Sequence, residues 1–501
     1  FDRDAQDLTV AQGALLAGLI RNPTGYDPTL FPDLARARRD FALERMVTRG
    51  HLSEAAATAL KDEPMPAARN IVPPPNDYFV EEIKQRLLDD PRLGETPQER
   101  YNAVFKGGLT ITATIDHRLQ KVAEEKVRAI VPDTKGRFTA AVVTVEPKTG
   151  RVRAMVAGPG FEQVKYNLVT QGRRQPGSSF KAYVVAAAME NGYGPNDTVN
   201  GTQPCSVVRK GSKPYNPGNY EGSAGAVTSI SGATARSMNC AFIRLGLAVG
   251  HEKVIDIARR LGVTSPLDPV DAMFLGTEEL TPLEQASAYG VFANDGVRHA
   301  PYFVERVLDR DGKVIFEGPD EGEQVISQQA ARMTTQVLRG VVTGGTGVKA
   351  RLPRHPVAGK TGTSQDYENA WFVGYTPQLA TAVWMGAPVG NVPMRNVGGI
   401  RVTGGSYPAR IWGAYMTEAM KDLPVEQFGA PDPKLIPKRK SVQVKLPGVK
   451  VSGGGGSGTT VKGGTPPPDG RPGSGGPGKR TKGGIEFDYA GVVLGRKPDE
   501  R

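Results

Sequence analysis

The sequence is poor in the residues that usually bind metals. It contains two cysteines among 501 residues, Cys205 and Cys240, and they form no Cys-x-x-Cys pair. Its five histidines are scattered, and none lies in a His-Glu-x-x-His arrangement. Because protein zinc sites are built from closely spaced Cys and His, we expect no metal centre, and no other cofactor is indicated. The two cysteines are either a disulfide of an exported protein or two separate buried thiols.

Long apolar runs are missing as well. No run approaches the roughly 18 residues that a membrane-spanning helix needs, and the clearest short one is ALLAGLI at 14–20. The first ten residues, FDRDAQDLTV, have neither the basic nor the apolar region of a signal peptide. We therefore expect any membrane anchor or export signal to lie upstream of this sequence.

Net positive charge is small outside the C-terminal region. The net charge is +11, and residues 429–501, with 14 Lys/Arg and 6 Asp/Glu, supply eight of those charges. A nucleic-acid-binding domain carries its positive charge on a folded face, so nucleic acid is not an expected partner. Stretches such as SGGGGSG at 452–458 cannot bury enough apolar area to offset chain entropy. We expect residues 429–501 to be mostly disordered.

The apolar pattern of the remaining chain predicts helices and β-hairpins. Thr9 and Gln12 fit a capping box, and residues 117–131 form an amphipathic pattern. Two runs rich in β-branched residues predict hairpins at 138–158 and 369–387. Because most of the helices lie between these hairpins, we expect an α+β fold with an antiparallel sheet flanked by helices.

The segment RRQPGSSFKAYVVAAAM at 173–189 places a hydroxyl and an amine at the mouth of an apolar helix. Ser178 is a good helix cap, which is its structural interpretation. Its functional interpretation rests on Lys181, because residues i and i+3 of a helix lie on one face. A desolvated lysine has a lowered pKa and can act as a base, while free backbone N–H groups can stabilise an oxyanion. Ser179 has no lysine three residues on and is the weaker candidate.

Two further motifs follow in a meaningful order. Ser237 and Asn239 form a Ser-x-Asn, and Lys360, Thr361, Gly362 and Thr363 form Lys-Thr-Gly-Thr before the second hairpin. Ser-x-x-Lys, Ser-x-Asn and Lys-Thr-Gly in this order are the signature of penicillin-recognising serine enzymes. A second Lys-Thr-Gly at 148–150 precedes Ser178 and is explained by the turn of the first hairpin.

These motifs resemble the transpeptidase domain of class A, bifunctional penicillin-binding proteins. The resemblance includes ATARSMNCAFIRLG, GVVTGGTG and VAGKTGTSQDYENAWFVGYTP, and the Gly/Pro-rich basic tail is typical of an actinobacterial type. It implies four parts: a helical remnant of the glycosyltransferase domain at 1–66, a linker at 67–136, the transpeptidase domain at 137–428 and the tail at 429–501. The catalytic glutamates of the glycosyltransferase are expected before residue 1. We therefore expect this chain not to polymerise glycan, whereas its full-length parent is expected to.

The resemblance implies a role for each motif residue. Ser178 attacks the D-Ala-D-Ala end of a peptidoglycan stem peptide, Lys181 takes its proton, and Ser237 passes a proton to the leaving amine. Asn239 orients Lys181 and the substrate, Lys360 supplies positive field, and Thr361, Gly362 and Thr363 bind the terminal carboxylate. The implied location is the outer face of the plasma membrane or the cell wall space. An amine of a second stem peptide is the acceptor, β-lactams acylate Ser178, and a Cys205–Cys240 disulfide would brace Asn239.

Two alternatives remain open from the sequence. A β-lactamase or DD-carboxypeptidase shares the acylation step but uses water for deacylation, and a class A lactamase needs a glutamate to activate it. GTEELTPLEQ at 276–285 contains glutamates but lacks the accompanying Asn. The second alternative is a β-lactam sensor or a scaffold. The basic tail is either a solvated linker or a binding segment for anionic wall polymers or lipid headgroups.

Overall fold

The computed structural model describes residues 1, 4–66, 77–209, 211, 213–319, 321–444 and 449–452. The α-helices within this part are α1 Val10–Leu19, α2 Pro32–Thr48, α3 Glu54–Lys61, α4 Tyr78–Asp89, α5 Pro97–Lys106, α6 His117–Ile130, α7 Lys181–Glu190, α8 Ile230–Ala235, α9 Asn239–Val249, α10 His251–Arg260, α11 Pro282–Ala293, α12 Gln328–Gly344 and α13 Tyr407–Ala419. The strands are β1 Thr110–Ala113, β2 Thr139–Val145, β3 Val152–Val156, β4 Thr198–Asn200, β5 Val207–Arg209, β6 Val227–Ser229, β7 Val297–Arg298, β8 Val304–Leu308, β9 Val314–Glu317, β10 Glu323–Gln324, β11 Ala358–Thr363, β12 Asn369–Tyr375, β13 Ala380–Gly386 and β14 Val449–Val451.

The central feature is a five-stranded sheet with the order β11-β12-β13-β2-β3. Every neighbouring pair in it is antiparallel. Both hairpins expected from the sequence are confirmed, β2–β3 and β12–β13, and so is the α+β class. Strand β11, which carries the Lys-Thr-Gly motif, is at one edge of this sheet. The motif therefore has a strand on one side only and is open on the other.

Helices cover both faces of the sheet. Along β2, Ala141 and Val143 belong to the large core that also contains α7, α9 and α11. The alternate residues Ala140 and Val142 pack with α6 and α13 on the opposite face. Since successive side chains of a strand point to opposite faces, a strand of small apolar and β-branched residues with no polar alternation fits a sheet buried on both sides.

Local sequence signals set the ends of several helices. The capping box of Thr9 and Gln12 is confirmed at the start of α1. The amphipathic pattern at 117–131 forms α6, whose first turn is capped by Asp116. Among the described residues, no helix is long and apolar enough to cross a membrane.

The C-terminal region differs from the sequence expectation, because part of it packs on the body. We call residues 429–444 and 449–452 the C-terminal strap. Strand β14 pairs with β5, and the amide of Val442 donates to the carbonyl of Thr198 at 2.7 Å. Open strand edges of the body supply these backbone partners. Amino-acid composition gives no indication of such backbone pairing. Residues 453–501 of the predicted tail and 67–76 of the predicted linker lie outside the described residues. The division of 1–428 into three parts stays a prediction.

Candidate active site

Ser178 lies in a single 3-10 turn, Gly177–Phe180, that leads directly into α7. The helix proper begins only at Lys181, so Ser178 precedes it by one tight turn. Because a 3-10 helix has three residues per turn, residues i and i+3 are eclipsed, and Ser178 and Lys181 lie on the same side. Gly177 has a φ of +52°, and a Cβ there would lie 2.4 Å from the carbonyl oxygen of Thr363. Glycine thus allows the turn to touch β11.

The two adjacent serines occupy different environments. Ser179 is fully buried; its Oγ donates to the carbonyl of Pro176 at 2.8 Å and accepts from Nε2 of Gln285 at 2.7 Å. Ser178 is half-buried and lines an open cleft. Ser179 is therefore engaged in holding the turn, whereas the hydroxyl of Ser178 faces the space that a substrate can enter.

Lys181 is a buried amine held by the Ser-x-Asn motif. Its Nζ donates to Oδ1 of Asn239 at 2.6 Å and to the backbone carbonyl of Ser237 at 2.9 Å, and it lies 3.4 Å from Oγ of Ser237. Burial, and then the positive charge of Lys360, lower the pKa of Lys181 well below its usual value. A lysine in this condition can accept a proton near neutral pH.

Ser237 occupies the short link between α8 and α9 with a φ of +55°. This left-handed conformation is uncommon outside glycine and marks a constrained position. Its Oγ accepts from Nζ of Lys360 at 2.9 Å. Asn239, in the first turn of α9, donates through Nδ2 to the carbonyl of Gly218 at 2.7 Å. The hydroxyl of Ser237 therefore lies between two lysine amines.

Lys360 is on the edge strand β11, where it is opposite Val373 of β12. Burial lowers the pKa of Lys360 to about 7. Two residues on, a Cβ at Gly362 would lie 2.1 Å from the carbonyl oxygen of Pro176. The glycine of Lys-Thr-Gly thus permits the strand to pack directly against the turn that carries Ser178.

The motif residues surround a cleft of about 880 Å³. The hydroxyls of Thr361 and Thr346 are hydrogen-bonded at 2.6 Å, and Oγ1 of Thr363 accepts from the amide of Gly404 at 3.1 Å. The structure brings Ser178, Ser237, Asn239, Thr361 and Thr363 to this one cleft, with Lys181 and Lys360 buried beneath it. Gly362 is in β11, the strand that forms one side of this cleft.

Several residues at the site were not singled out in the sequence. Thr346 lies in the quoted segment GVVTGGTG, so a signal for it existed. Asn219 had none: its Oδ1 accepts from the amide of Cys240 and its Nδ2 donates to the carbonyl of Gly201. Asn219 thus ties the start of α9 to the loop that forms one side of the cleft.

Cys205 and Cys240 form a disulfide, with Cα atoms 5.4 Å apart. Cys240 directly follows Asn239 on α9, so the bridge holds the start of that helix to the loop before β5.

The second Lys-Thr-Gly lies in a surface turn and not at the catalytic cleft. Lys148 is in the β2–β3 turn, where its Nζ pairs with Glu426 at the surface. Among the described residues, no group of three or more His, Cys, Asp and Glu could hold a metal ion.

Two family matches cover much of the chain. Residues 140–404 match the penicillin-binding protein transpeptidase domain, and residues 1–47 match the transglycosylase family. The first match spans more than half of the sequence. The chain therefore belongs to the class A penicillin-binding proteins, with a transpeptidase domain and a short transglycosylase fragment at its N-terminal end.

Similar proteins come from several bacteria. The chain is 30% identical over 448 residues to penicillin-binding protein 2D of Bacillus subtilis, an alignment that covers 86% of this chain and 62% of that protein. It is 33% identical over 462 residues to penicillin-binding protein 1A of Mycolicibacterium smegmatis, covering 86% of this chain and 56% of that protein. The chain thus spans little more than half the length of these relatives.

Solved structures share the fold. The penicillin-binding protein PonA1 of Mycobacterium tuberculosis aligns with a TM-score of 0.64 at 29% identity, covering 72% of this chain and 96% of that one. PonA1 has also been solved in complex with penicillin V, and that structure aligns with the same TM-score at 28% identity, covering 74% of this chain and 99% of that one. Penicillin-binding protein 1A of Haemophilus influenzae aligns with a TM-score of 0.69 at 22% identity, covering 86% of this chain and 83% of that one, and supports the fold alone.

Proposed function

We propose that this chain is a serine DD-transpeptidase that cross-links peptidoglycan stem peptides and is acylated by β-lactams. The observation that carries the proposal is the hydrogen-bonded cluster beneath Ser178. In it, Nζ of Lys181 is held by Asn239 and Ser237, and Nζ of Lys360 donates to the same Ser237 hydroxyl. A hydroxyl that lines an open cleft beside a buried amine of lowered pKa is the arrangement that nucleophilic catalysis by serine needs.

In the acylation step, Oγ of Ser178 attacks the carbonyl carbon of the penultimate D-Ala, and Lys181 accepts the hydroxyl proton. The tetrahedral oxyanion is stabilised by the backbone N–H groups of Ser178 and Thr363; elsewhere the loss of one such donor lowers kcat by about 10²–10³. Ser237, between the two amines, relays a proton to the departing nitrogen. D-Ala leaves, and the rest of the peptide stays on Ser178 as an ester.

In the second step, an amine of a neighbouring stem peptide attacks the ester carbon. Its proton passes back through the lysine cluster to Ser178, so the enzyme is regenerated and one amide bond replaces another. The Thr361 and Thr363 hydroxyls, on the strand that faces the cleft, bind the terminal carboxylate of the donor, and the Lys360 charge attracts it. Asn239 positions Lys181 and the substrate backbone.

The proposal extends to location and partners. Peptidoglycan lies outside the cytoplasmic membrane, so we place the active chain there, and a disulfide beside the site suits that oxidising compartment. The transglycosylase match at 1–47 supports a second, glycan-polymerising activity in the full-length protein. A membrane anchor upstream of this sequence is part of the same proposal.

Mass spectrometry of the intact chain after incubation with a fluorescent penicillin tests the nucleophile. The native chain is expected to gain the mass of one antibiotic molecule, and Ser178→Ala is expected to gain none. Ser179→Ala is the matched control, because it removes the neighbouring hydroxyl and is expected to retain the adduct. A covalent adduct that survives Ser178→Ala overturns the assignment.

A further inference from the structure

A second cleft, of about 670 Å³, lies next to the catalytic one. We call it the arginine cleft, because four arginines and only two carboxylates line it: Arg86, Arg173, Arg174, Arg298, Glu279 and Glu284. Much of its remaining lining consists of hydroxyl side chains from Thr and Ser. Neither family match nor the proposed chemistry uses these arginines.

A thin backbone wall separates the two clefts. The amide of Arg174 donates to the carbonyl of Leu280 at 3.0 Å, and the reverse bond has the same length. The amide of Gly177 donates to the carbonyl of Gly276 at 3.0 Å. Gln175 and Gly276 line the catalytic cleft, whereas Arg174 lines the arginine cleft. The wall belongs to the chain segment that continues into Ser178. The arginine cleft opens on the side of this wall that faces away from the catalytic cleft.

One of the two carboxylates that line the arginine cleft is fully engaged by neighbouring donors. The carboxylate of Glu284 accepts from the amides of Ser265 and Thr281 at 2.7 and 2.9 Å, and it also accepts from the amide of Thr264 and three nearby hydroxyls. A carboxylate with six donors has no free lone pair for an arginine. Arg86 is paired with Glu82 at 2.9 Å.

The remaining arginines lack anionic partners. Within the described part of the chain, no carboxylate lies at ion-pair distance from Arg173, Arg174 or Arg298. The Nε atoms of Arg174 and Arg298 are buried without a hydrogen-bond partner. The guanidinium of Arg174 donates only to the backbone carbonyls of Arg173 and Pro388. The cleft therefore carries arginine charge that no carboxylate of the described residues pairs with.

We propose that the arginine cleft is a second binding site, which accepts a ligand bearing an oxyanion, either a phosphate or a carboxylate. The guanidinium group presents donors in a fork that matches the two oxygens of either anion. The hydroxyl of Ser287, which also lines the cleft, supplies a further donor, whereas those of Thr170 and Thr264 already donate to Glu82 and Glu284. The cavity volume is in the range of small-molecule sites, so the ligand is larger than a lone ion.

Titration calorimetry with two probes tests the site: sodium pyrophosphate for phosphate ligands and citrate for carboxylate ligands. Both are titrated into the full chain at constant ionic strength, so that general charge screening does not change. We expect saturable binding of at least one probe to one site. R173Q/R298Q is expected to weaken that binding by about tenfold or more, because it removes two charge-assisted donors.

Arg310→Gln is the matched control, since the Arg310 side chain is 80% exposed and lies outside the cleft; it is expected to change the affinity less than twofold. Arg173 is exposed, so R173Q alone tests the site without disturbing the core. Binding of pyrophosphate alone identifies a phosphate ligand, and binding of citrate alone identifies a carboxylate ligand. The proposal is overturned if neither probe saturates at up to about 10 mM. It is equally overturned if R310Q weakens binding as much as R173Q/R298Q.

Discussion

Two buried amines share one hydroxyl in the candidate active site. Nζ of Lys360 is 2.9 Å from Oγ of Ser237, and Nζ of Lys181 is 3.4 Å from the same atom. Because both amines are buried and lie close to the same oxygen atom, a positive charge on one disfavours a positive charge on the other. Burial and then Lys360 lower the pKa of Lys181, while burial lowers the pKa of Lys360 to about 7. The pair therefore favours a neutral Lys181 beside Ser178.

Lys360→Met is expected to move the acid limb of the acylation rate to higher pH. Acylation needs neutral Lys181, so its rate rises as pH rises through the pKa of Lys181. While Lys360 is charged, below pH about 7, it lowers that pKa. Removing the charge raises the pKa of Lys181, so the acid limb moves to higher pH. The measurement is the rate of acylation by a fluorescent penicillin between acid and mildly alkaline pH.

Lys148→Met is the control for this prediction, because it changes the lysine of the other Lys-Thr-Gly, which is 59% exposed in the β2–β3 turn. Its pH profile is expected to match that of the native chain. An acid limb that stays in place or moves to lower pH in Lys360→Met would show that the Lys360 charge does not act on the base.

The reacting residues could be predicted from the sequence better than the residues that hold them in position. Ser178 and Lys181 are three positions apart, so local geometry alone brings them together. Thr346 and Asn219 reach the site through long-range packing; the quoted segment GVVTGGTG contains Thr346, but no sequence signal indicates Asn219. The left-handed φ of Ser237 is likewise set by the junction of two helices and not by its own residue type.

At the scale of elements, helix α9 connects the site to the C-terminal strap. Arg244, on the same helix as Asn239, is 5% exposed, and no carboxylate of the described residues is paired with it. Its guanidinium donates to the carbonyls of Asn200, Thr202, Pro204 and Ser452. Burial lowers the pKa of Arg244; backbone carbonyls accept from both of its Nη atoms, whereas its Nε has no partner among the described residues. One of these acceptors belongs to the strap, so the strap completes the surroundings of a buried cation.

Truncation after Ser452 is expected to leave the thermal midpoint unchanged, whereas truncation after Val444 is expected to lower it by a few degrees. The shorter chain loses β14, its pairing with β5 and the Ser452 carbonyl that Arg244 uses. A buried donor left without an acceptor costs about 1–3 kcal/mol. Differential scanning fluorimetry of the two truncated chains measures the difference, and equal midpoints would contradict the role given to the strap.

The helices and strands lie where the sequence predicts them when the apolar pattern agrees with the capping and turn residues. Helix α6 begins after the capping Asp116, and β12–β13 turns at the expected Thr376-Pro377-Gln378. The packing of the strap was not expected from the sequence, because the strap is held by backbone pairing to edge strands. Such pairing depends little on side-chain identity, so a composition rich in Gly, Pro and Lys conceals it.

At the scale of the whole molecule, the site is assembled from segments far apart in sequence. Lys181 and Ser237 are separated by 56 positions, and Ser237 and Lys360 by 123. The order of the three motifs predicts a common site, but only the packed sheet and helices bring them within hydrogen-bond distance. The arginine cleft could not be predicted at all, because its arginines come from the linker helix α4, the segment before Ser178 and β7.

The positions of the carboxylates relative to Ser178 determine how long the acyl-enzyme is expected to last. A β-lactamase needs a carboxylate that activates water at the ester, and Glu284 is one of the glutamates of the segment 276–285, which lacks the accompanying Asn. The structure directs the Glu284 carboxylate to six donors in the arginine cleft, on the far side of the wall from Ser178. Two carboxylates line the catalytic cleft within the described residues: Asp366, which is paired with Arg395 at 2.5 Å, and the half-buried Glu368.

We therefore expect the penicilloyl adduct on Ser178 to persist for minutes or longer after excess antibiotic is removed. Intact mass followed over time gives the lifetime, with a class A β-lactamase measured alongside as the fast reference. Glu284→Gln is expected to leave the lifetime unchanged, because Glu284 has no access to the ester. Return of the unmodified mass within a second, or a longer lifetime in Glu284→Gln, would mean that water is activated at this site and that hydrolysis is the dominant fate of the acyl-enzyme.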